Sequence, residues 1–220
     1  MEPENKKYNV IYADPPWVYK AKASVFKTIR VNRQYDLLSM EELKSLGVFP
    51  LIQDNAVLFI WATVPLLPMA FELLTAWGFE YKTMLTWHKT PKKLFGFWFM
   101  HQCEHLLLGV RGKVKCFRMK QVNFYESRTG RHSQKPPYFR ELITEATSKV
   151  FASPVKLELF ARSRAGFFPD YEYEGWDVYG NEVNNSIVLP ETINKQQSGK
   201  NEGGDQSMNG QDDERTASQR

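Results

Sequence analysis

The chain is poor in the residues that staple or metallate small domains: it has two cysteines and four histidines in 220 residues. Cys103 and Cys116 lack metal-site spacing, and His88, His101 and His105 do not supply it. A disulfide framework is therefore not expected. No run of about 18 unbroken apolar residues is present, so no transmembrane helix and no membrane partner are expected. The segment from Met1 to Lys7 is polar and short, unlike a signal peptide. No internal repeat is visible. Aromatic residues stop at Tyr179, and beyond Ile187 the chain is Gln, Asn, Ser, Gly and charge. Such a segment buries too little apolar surface to offset its ordering entropy. Residues 187–220 are expected to be a disordered polar tail, and residues 1–186 the folded domain.

The body has what the tail lacks. Hydrophobic residues make up 42% of the chain and aromatics 14%, enough for one sizeable core. The formal net charge is +4. From Glu191 onward there are four basic and six acidic residues, so the body is more basic than the whole. A basic body suits a polyanionic partner and equally suits an ordinary basic enzyme.

Periodicity predicts alternating strands and helices. Tyr8–Ala13 (YNVIYA) and Ala56–Ala62 (AVLFIWA) read as buried strands, with Tyr81–His88, His105–Val110 and Val155–Phe160 as further strands. Leu66–Trp77 has helical spacing and stops at Gly78, and Pro137–Thr147 reads as a helix opened by Pro136 and Pro137. Alternation of this kind predicts an α/β fold with helices on both faces of a mostly parallel sheet. Ligands then bind at the carboxyl ends of strands. Asp14, Lys89 and Arg162 each follow or close a strand and are expected to face one crevice.

The segment that carries chemistry is Asp14-Pro15-Pro16-Trp17, placed directly after the first strand. An exocyclic aromatic amine is a poor nucleophile because its lone pair is delocalised into the ring. A site helps by accepting hydrogen bonds from both amine hydrogens. The Asp14 carboxylate and the Pro15 carbonyl suit that task, and the two prolines hold the carbonyl rigidly. Trp17 offers a flat face for a base. The same four residues would also serve as a plain strand-ending turn.

With this motif in place, the chain resembles the MT-A70 family, named for the mRNA adenosine methyltransferase subunit. The resemblance runs from about Tyr8 to Val183. It rests on residues 14–17, Val57–Trp61, Leu74–Phe79, Thr86–Lys89, Glu104–Val110, His132–Pro136, Leu157–Arg162, Gly175–Asp177 and Gly180–Glu182. The compact length is similar to the bacterial and phage branch. The resemblance implies a Rossmann-like methyltransferase fold, S-adenosylmethionine as methyl donor with S-adenosylhomocysteine as product, and no metal. It implies that Asp14 lies near the cofactor's methionine amine and that Lys89 meets its carboxylate. Glu158 and Arg162 would bracket the ribose, with Phe160 also cofactor-binding, and Asn181 and Glu182 would complete the ribose and adenine side. Arg164 falls where eukaryotic members carry a histidine near the cofactor.

The implied reaction is methyl transfer to the N6 amine of adenine, on DNA in preference to RNA. The alternatives are the same reaction on RNA and a non-catalytic nucleic-acid-binding or partner subunit. The implied setting is the cytoplasm of a bacterial or phage-infected cell, or the nucleus if the source is eukaryotic. Lys20, Lys22, Lys27, Arg30 and Arg33 are interleaved with Tyr19, Phe26 and Tyr35, which suits a substrate lid with phosphate and base contacts. Arg128, Arg131, His132 and Lys135 precede a helix start, a setting that favours a substrate phosphate or the cofactor carboxylate. The apolar run Leu94–Phe99 suits core or a protein–protein surface. Relatives pair through this region, so a homodimer or a heterodimer with a paralogue is expected.

Overall fold

Six consecutive buried residues, Tyr8–Ala13, form strand β1 in the interior of the sheet. The computed structural model describes residues 6–18, 37–90, 98–129, 135–162 and 173–190. The helices are α1 (Met40–Ser45), α2 (Leu67–Ala76) and α3 (Pro137–Ser148). The remaining strands are β2 (Ile52–Thr63), β3 (Glu80–Thr90), β4 (Cys103–Arg111), β5 (Phe124–Arg128), β6 (Lys156–Leu159) and β7 (Asp177–Tyr179).

Among the described residues these strands make one sheet, in the order β5-β3-β4-β2-β1-β6-β7. β1 pairs in parallel with β2 and β6, β6 with β7, and β3 with β5. Only β4 runs against its neighbours β2 and β3. The expected α/β class with a mostly parallel sheet is what forms. Two 3₁₀ turns, Phe49–Leu51 and Val64–Leu66, lie at the two ends of β2, and each carries a proline near its start.

Strand alternation sorts the core into two faces. Along β2, Ala56, Leu58, Ile60 and Ala62 point to the face covered by α1 and α2, whose Leu43, Ala70, Leu73 and Leu74 are buried there. Val57, Phe59 and Trp61 point to the opposite face, with Phe139 and Ile143 of α3. The indoles of Trp61, Trp77 and Trp87, the most deeply buried, have hydrogen-bond partners, as burial of a polar N–H requires. Trp61 donates to the Tyr12 hydroxyl (2.7 Å), Trp77 to the Leu43 carbonyl (3.0 Å) and Trp87 to Ser127 Oγ (2.9 Å).

The core continues past the domain boundary expected at residue 186. Ile187 and Leu189 pack against the α1–α2 face, so the body extends into the segment assigned to the tail. Their apolar side chains sit four and two residues before Glu191, where the charged stretch begins.

Candidate active site

The Asp14–Trp17 turn is held from several sides. Past Ala13 the chain leaves the sheet, and the Trp17 N–H donates to the Pro15 carbonyl (2.9 Å). The Leu38 N–H donates to the Pro16 carbonyl at the same distance, and Trp17 and Leu38 form an isolated bridge. Trp17 Nε1 donates to the Trp61 carbonyl (3.1 Å). Its side chain is 7% exposed and lies in the core with Leu43 and Leu66. Trp17 therefore anchors the turn, which corrects the expectation that it offers a stacking face. A ring whose N–H is bonded inside the core leaves little flat surface for a base.

Asp14 is half-buried at the end of β1 and sits in a chain of alternating charge. Lys135 Nζ contacts Asp14 Oδ2 at 2.7 Å and Glu104 Oε2 at 3.2 Å. Lys89 Nζ contacts Glu104 Oε1 at 2.5 Å. Arg162 Nη2 approaches the same oxygen, Asp14 Oδ2, at 3.9 Å. The expected convergence of Asp14, Lys89 and Arg162 is thus an ordered row: Lys89, Glu104, Lys135, Asp14, Arg162. The cations also lie near aromatic rings, Lys89 Nζ 5.5 Å from the Trp87 centroid and Lys135 Nζ 5.3 Å from that of Trp61.

Burial would by itself push the Lys135 ammonium down, but the Asp14 and Glu104 carboxylates outweigh it and hold the group above its ordinary value. Burial would likewise raise Glu104, and Lys135 and Lys89 together hold it below its ordinary value. Both shifts favour the charged forms of Glu104 and Lys135, and Lys135 presents a fixed positive charge to the carboxylate of Asp14.

On the other side of Asp14 a cleft opens at the carboxyl ends of β6 and β7. Its lining includes Pro16, Phe160, Arg162, Tyr179, Asn181 and Glu182. The two walls touch at Ala161 and Gly180. The Ala161 N–H donates to the Tyr179 carbonyl (3.0 Å), and a Cβ on Gly180 would lie 2.1 Å from the Ala161 carbonyl oxygen. Gly180 is required there by close backbone approach. Phe160 adopts φ 61°, a left-handed conformation uncommon for a side chain of this bulk.

These residues fit an adenosyl sulfonium ligand: an aromatic face, a carboxamide and a carboxylate for a ribose diol, and an arginine beside Asp14 for a zwitterionic amino-acid end. Phe160, Arg162, Asn181 and Glu182 come together as expected. Lys89 is not among the residues that line the cleft; Glu104 holds it three ion pairs away from Asp14.

Glu158 lies elsewhere. On β6 it alternates with the core residues Leu157 and Leu159, so it points to the α3 face. There the Arg140 fork holds it, through Nε to Oε2 at 2.8 Å and Nη2 to Oε1 at 3.1 Å. Burial alone would depress Arg140; the Glu158 carboxylate more than offsets this and raises it. Arg128 closes β5 as an exposed residue opposite Thr90.

Lys20, Lys22, Tyr35, His132 and Arg164 lie outside the described residues, as do the rest of the expected lid and Leu94–Phe97. Sequence reading passed over Glu104 and Arg140 as site residues. The signal for Glu104 in the sequence is a lone carboxylate opening the apolar strand that ends Gly109-Val110. Among the described residues no group of three or more His, Cys, Asp or Glu side chains could hold a metal ion, and no helix is long and apolar enough to cross a membrane.

Comparison with known proteins gives a consistent picture. The MT-A70 family model matches residues 8–182. The Type II methyltransferase M.MunI of a Mycoplasma species is 32% identical over 206 residues, covering 84% of this chain and 82% of that protein. The N(6)-adenosine-methyltransferase subunit METTL3 of Danio rerio is 27% identical over 196 residues, covering 85% of this chain and 30% of its own length. The human METTL3 catalytic subunit is 28% identical over 193 residues, covering 83% of this chain and 29% of its own length. The chain thus spans less than a third of these eukaryotic relatives and most of the bacterial one.

Proposed function

The chain belongs to the MT-A70 family, and from that premise we propose that it transfers a methyl group from S-adenosylmethionine to the N6 amine of adenine in DNA. One observation carries the reading. The Asp-Pro-Pro-Trp turn holds Asp14 between a buried lysine and a cleft whose side chains suit an adenosyl ligand.

When bound, S-adenosylmethionine supplies an electrophilic methyl group; the chain's own residues prepare the acceptor. The contacts of Asp14 with Lys135 and Arg162 both fall on Oδ2, so Oδ1 is the oxygen assigned to the adenine amine. The Pro15 carbonyl accepts the Trp17 N–H and has a second lone pair for the other amine hydrogen. Two acceptors aimed at one NH₂ draw the nitrogen lone pair out of conjugation. Lys135 holds the carboxylate in place through its 2.7 Å contact, so little reorganisation accompanies the reaction. The nitrogen sheds one proton as it gains the methyl, and the Asp14 carboxylate is an acceptor already in place.

The cofactor cleft is assigned to Phe160, Arg162, Asn181 and Glu182, with Asp14 and Arg162 toward the methionine end. The substrate side is assigned to Arg128, with Lys20, Lys22, Tyr35 and His132 completing it. Glu158 is assigned to the support of β6 through Arg140, and Lys135 to the positioning of Asp14. Matching over most of both lengths to a compact methyltransferase supports DNA over RNA. Trp98, Phe99 and Met100, exposed by 94%, 83% and 60%, support pairing with a second copy or a paralogue. Sedimentation that gives a monomer at micromolar concentration would exclude self-association.

The decisive experiment is transfer from labelled S-adenosylmethionine to matched duplex DNA, single-stranded DNA and RNA, each with and without adenine, followed by nucleoside mass analysis. N6-methyladenine in DNA alone is the expected result. Transfer to RNA alone would reassign the substrate, and absence of transfer with intact cofactor binding would point to a partner-dependent or binding-only role.

A further inference from the structure

Between β4 and β5 the chain runs through residues 112–123 without regular secondary structure, and its charge is of one sign. Arg111, Lys113, Lys115, Arg118 and Lys120 fall within ten residues, and no Asp or Glu lies between Glu104 and Glu126. Lys113, Lys115, Arg118 and Lys120 are exposed and make no ion pair with any described residue.

The segment is built into the fold. Gly112 takes φ 67°, and a Cβ there would lie 2.1 Å from the Asp54 carbonyl oxygen. The Lys113 N–H donates to Asn55 Oδ1 (2.6 Å). Val114 and Phe117 pack on the α3-side core, with Phe117 stacked on Phe59 at 6.2 Å. Arg118 takes a left-handed φ of 50°, which turns the chain. Val114 and Phe117 thus anchor the segment, and its lysines and arginine are exposed.

Its course also has a direction. Because β4 is antiparallel, Arg111 pairs with Ala56 near the start of β2, away from the catalytic turn. The segment then returns along the α3 face to Phe124, which pairs with Thr86 midway along β3. β5 ends at Arg128, opposite Thr90, on the catalytic side. Seven residue steps separate Lys113 from Lys120, at most about 25 Å of chain. That reach spans several successive phosphates of a nucleic-acid strand.

We propose that Lys113, Lys115, Arg118 and Lys120 form a track for the phosphate backbone of the nucleic-acid substrate, leading it toward Arg128 and the catalytic turn. The proposal deepens the adenine methyltransferase reading and rests on it for the substrate class. The track reads no sequence, since phosphates carry none. It supplies affinity and register, and base recognition belongs to residues nearer Asp14.

The test is a four-site variant of the full chain, Lys113→Gln, Lys115→Gln, Arg118→Asn and Lys120→Gln. Asparagine at 118 is chosen because it tolerates the left-handed backbone. Binding to a 24-base-pair DNA duplex, an RNA hairpin of equal length and polyglutamate would be followed by fluorescence anisotropy across a salt series. Circular dichroism and thermal midpoints report the fold. The expected result is a Kd for nucleic acid raised at least about tenfold at 0.1 M salt, with the log–log salt slope reduced by about two to four. The DNA and RNA arms show which backbone uses the track. Unchanged Kd and slope on both would overturn the proposal, as would a wild-type chain that prefers polyglutamate to both nucleic acids. The half-variants Lys113→Gln/Lys115→Gln and Arg118→Asn/Lys120→Gln should each give about half the slope change, which keeps the test open if the four-site variant fails to fold. Binding is measured without methyl transfer. A chain that transfers methyl groups but ignores these substitutions sinks the track alone, and one that binds through the track but never transfers sinks the catalytic reading alone.

Discussion

Asp14 shares its Oδ2 atom between Lys135 and Arg162, so its removal strips a charge from between the two cations. Asp14→Ala is expected to abolish transfer while S-adenosylhomocysteine still binds and the fold persists; a fully active variant would sink the mechanism. Glu104 has the opposite balance of roles, being buried and paired with both Lys89 and Lys135. Its folded pKa lies below the ordinary 4.5, so the stability it contributes is present above that value. That stability is lost as pH falls through the folded pKa. Glu104→Gln should therefore lower stability at neutral pH and flatten the loss of thermal midpoint from about pH 5 downward. Breaking a buried pair costs about 3–5 kcal/mol, and the lower end applies here because Lys135 retains Asp14. Chemical denaturation across pH checks both parts.

Elements meet the site through close backbone approach. Gly180 touches the Ala161 backbone where the β6 and β7 loops form the cleft. Gly180→Ala must separate those loops, so cofactor affinity should fall at least about tenfold by calorimetry, with only a modest change in thermal midpoint. Gly109 of β4 plays a packing role away from the cleft, since a Cβ there would lie 2.9 Å from Leu74 Cδ1 and Phe79 Cβ. Gly109→Ala should destabilise by about 1–3 kcal/mol and leave cofactor affinity close to wild type. Urea denaturation alongside calorimetry separates these two effects. Helix α1 shows what local reading overlooked: Ser39 and Glu42 form a capping box that the sequence spells out, Ser-x-x-Glu. With only six residues, its apolar periodicity is too short to stand out.

At the scale of the molecule, the body closes with residues that composition alone assigned to a tail. Ile187 and Leu189 lie on the α1–α2 face. A chain truncated before Ile187 should have a lower thermal midpoint than one truncated after Pro190, and equal midpoints would show that this packing contributes nothing. The two faces of the sheet also divide the work. The cleft at β6 and β7 is set against Asp14, while the basic segment crosses the α3 face and reaches the catalytic side through β5.

The sequence by itself determined β1 to β4 and β6, the α/β alternation and the Asp14–Trp17 turn, because these depend on local runs; β5 and β7, short and only partly buried, lacked such a run. Tyr8–Ala13 was legible to the residue, and the carboxyl ends of β1 and β6 marked where Asp14 and Arg162 would meet. Only the tertiary structure decided which charges pair. Lys135 is 121 residues from Asp14, and no periodicity reports a contact of that separation. The same holds for Glu158, whose place one step along β6 turns it toward Arg140 and away from the cleft, and for Trp17, whose burial depends on Trp61. Residue type and spacing fix what a side chain can do; the packing of distant elements fixes which partner it does it with.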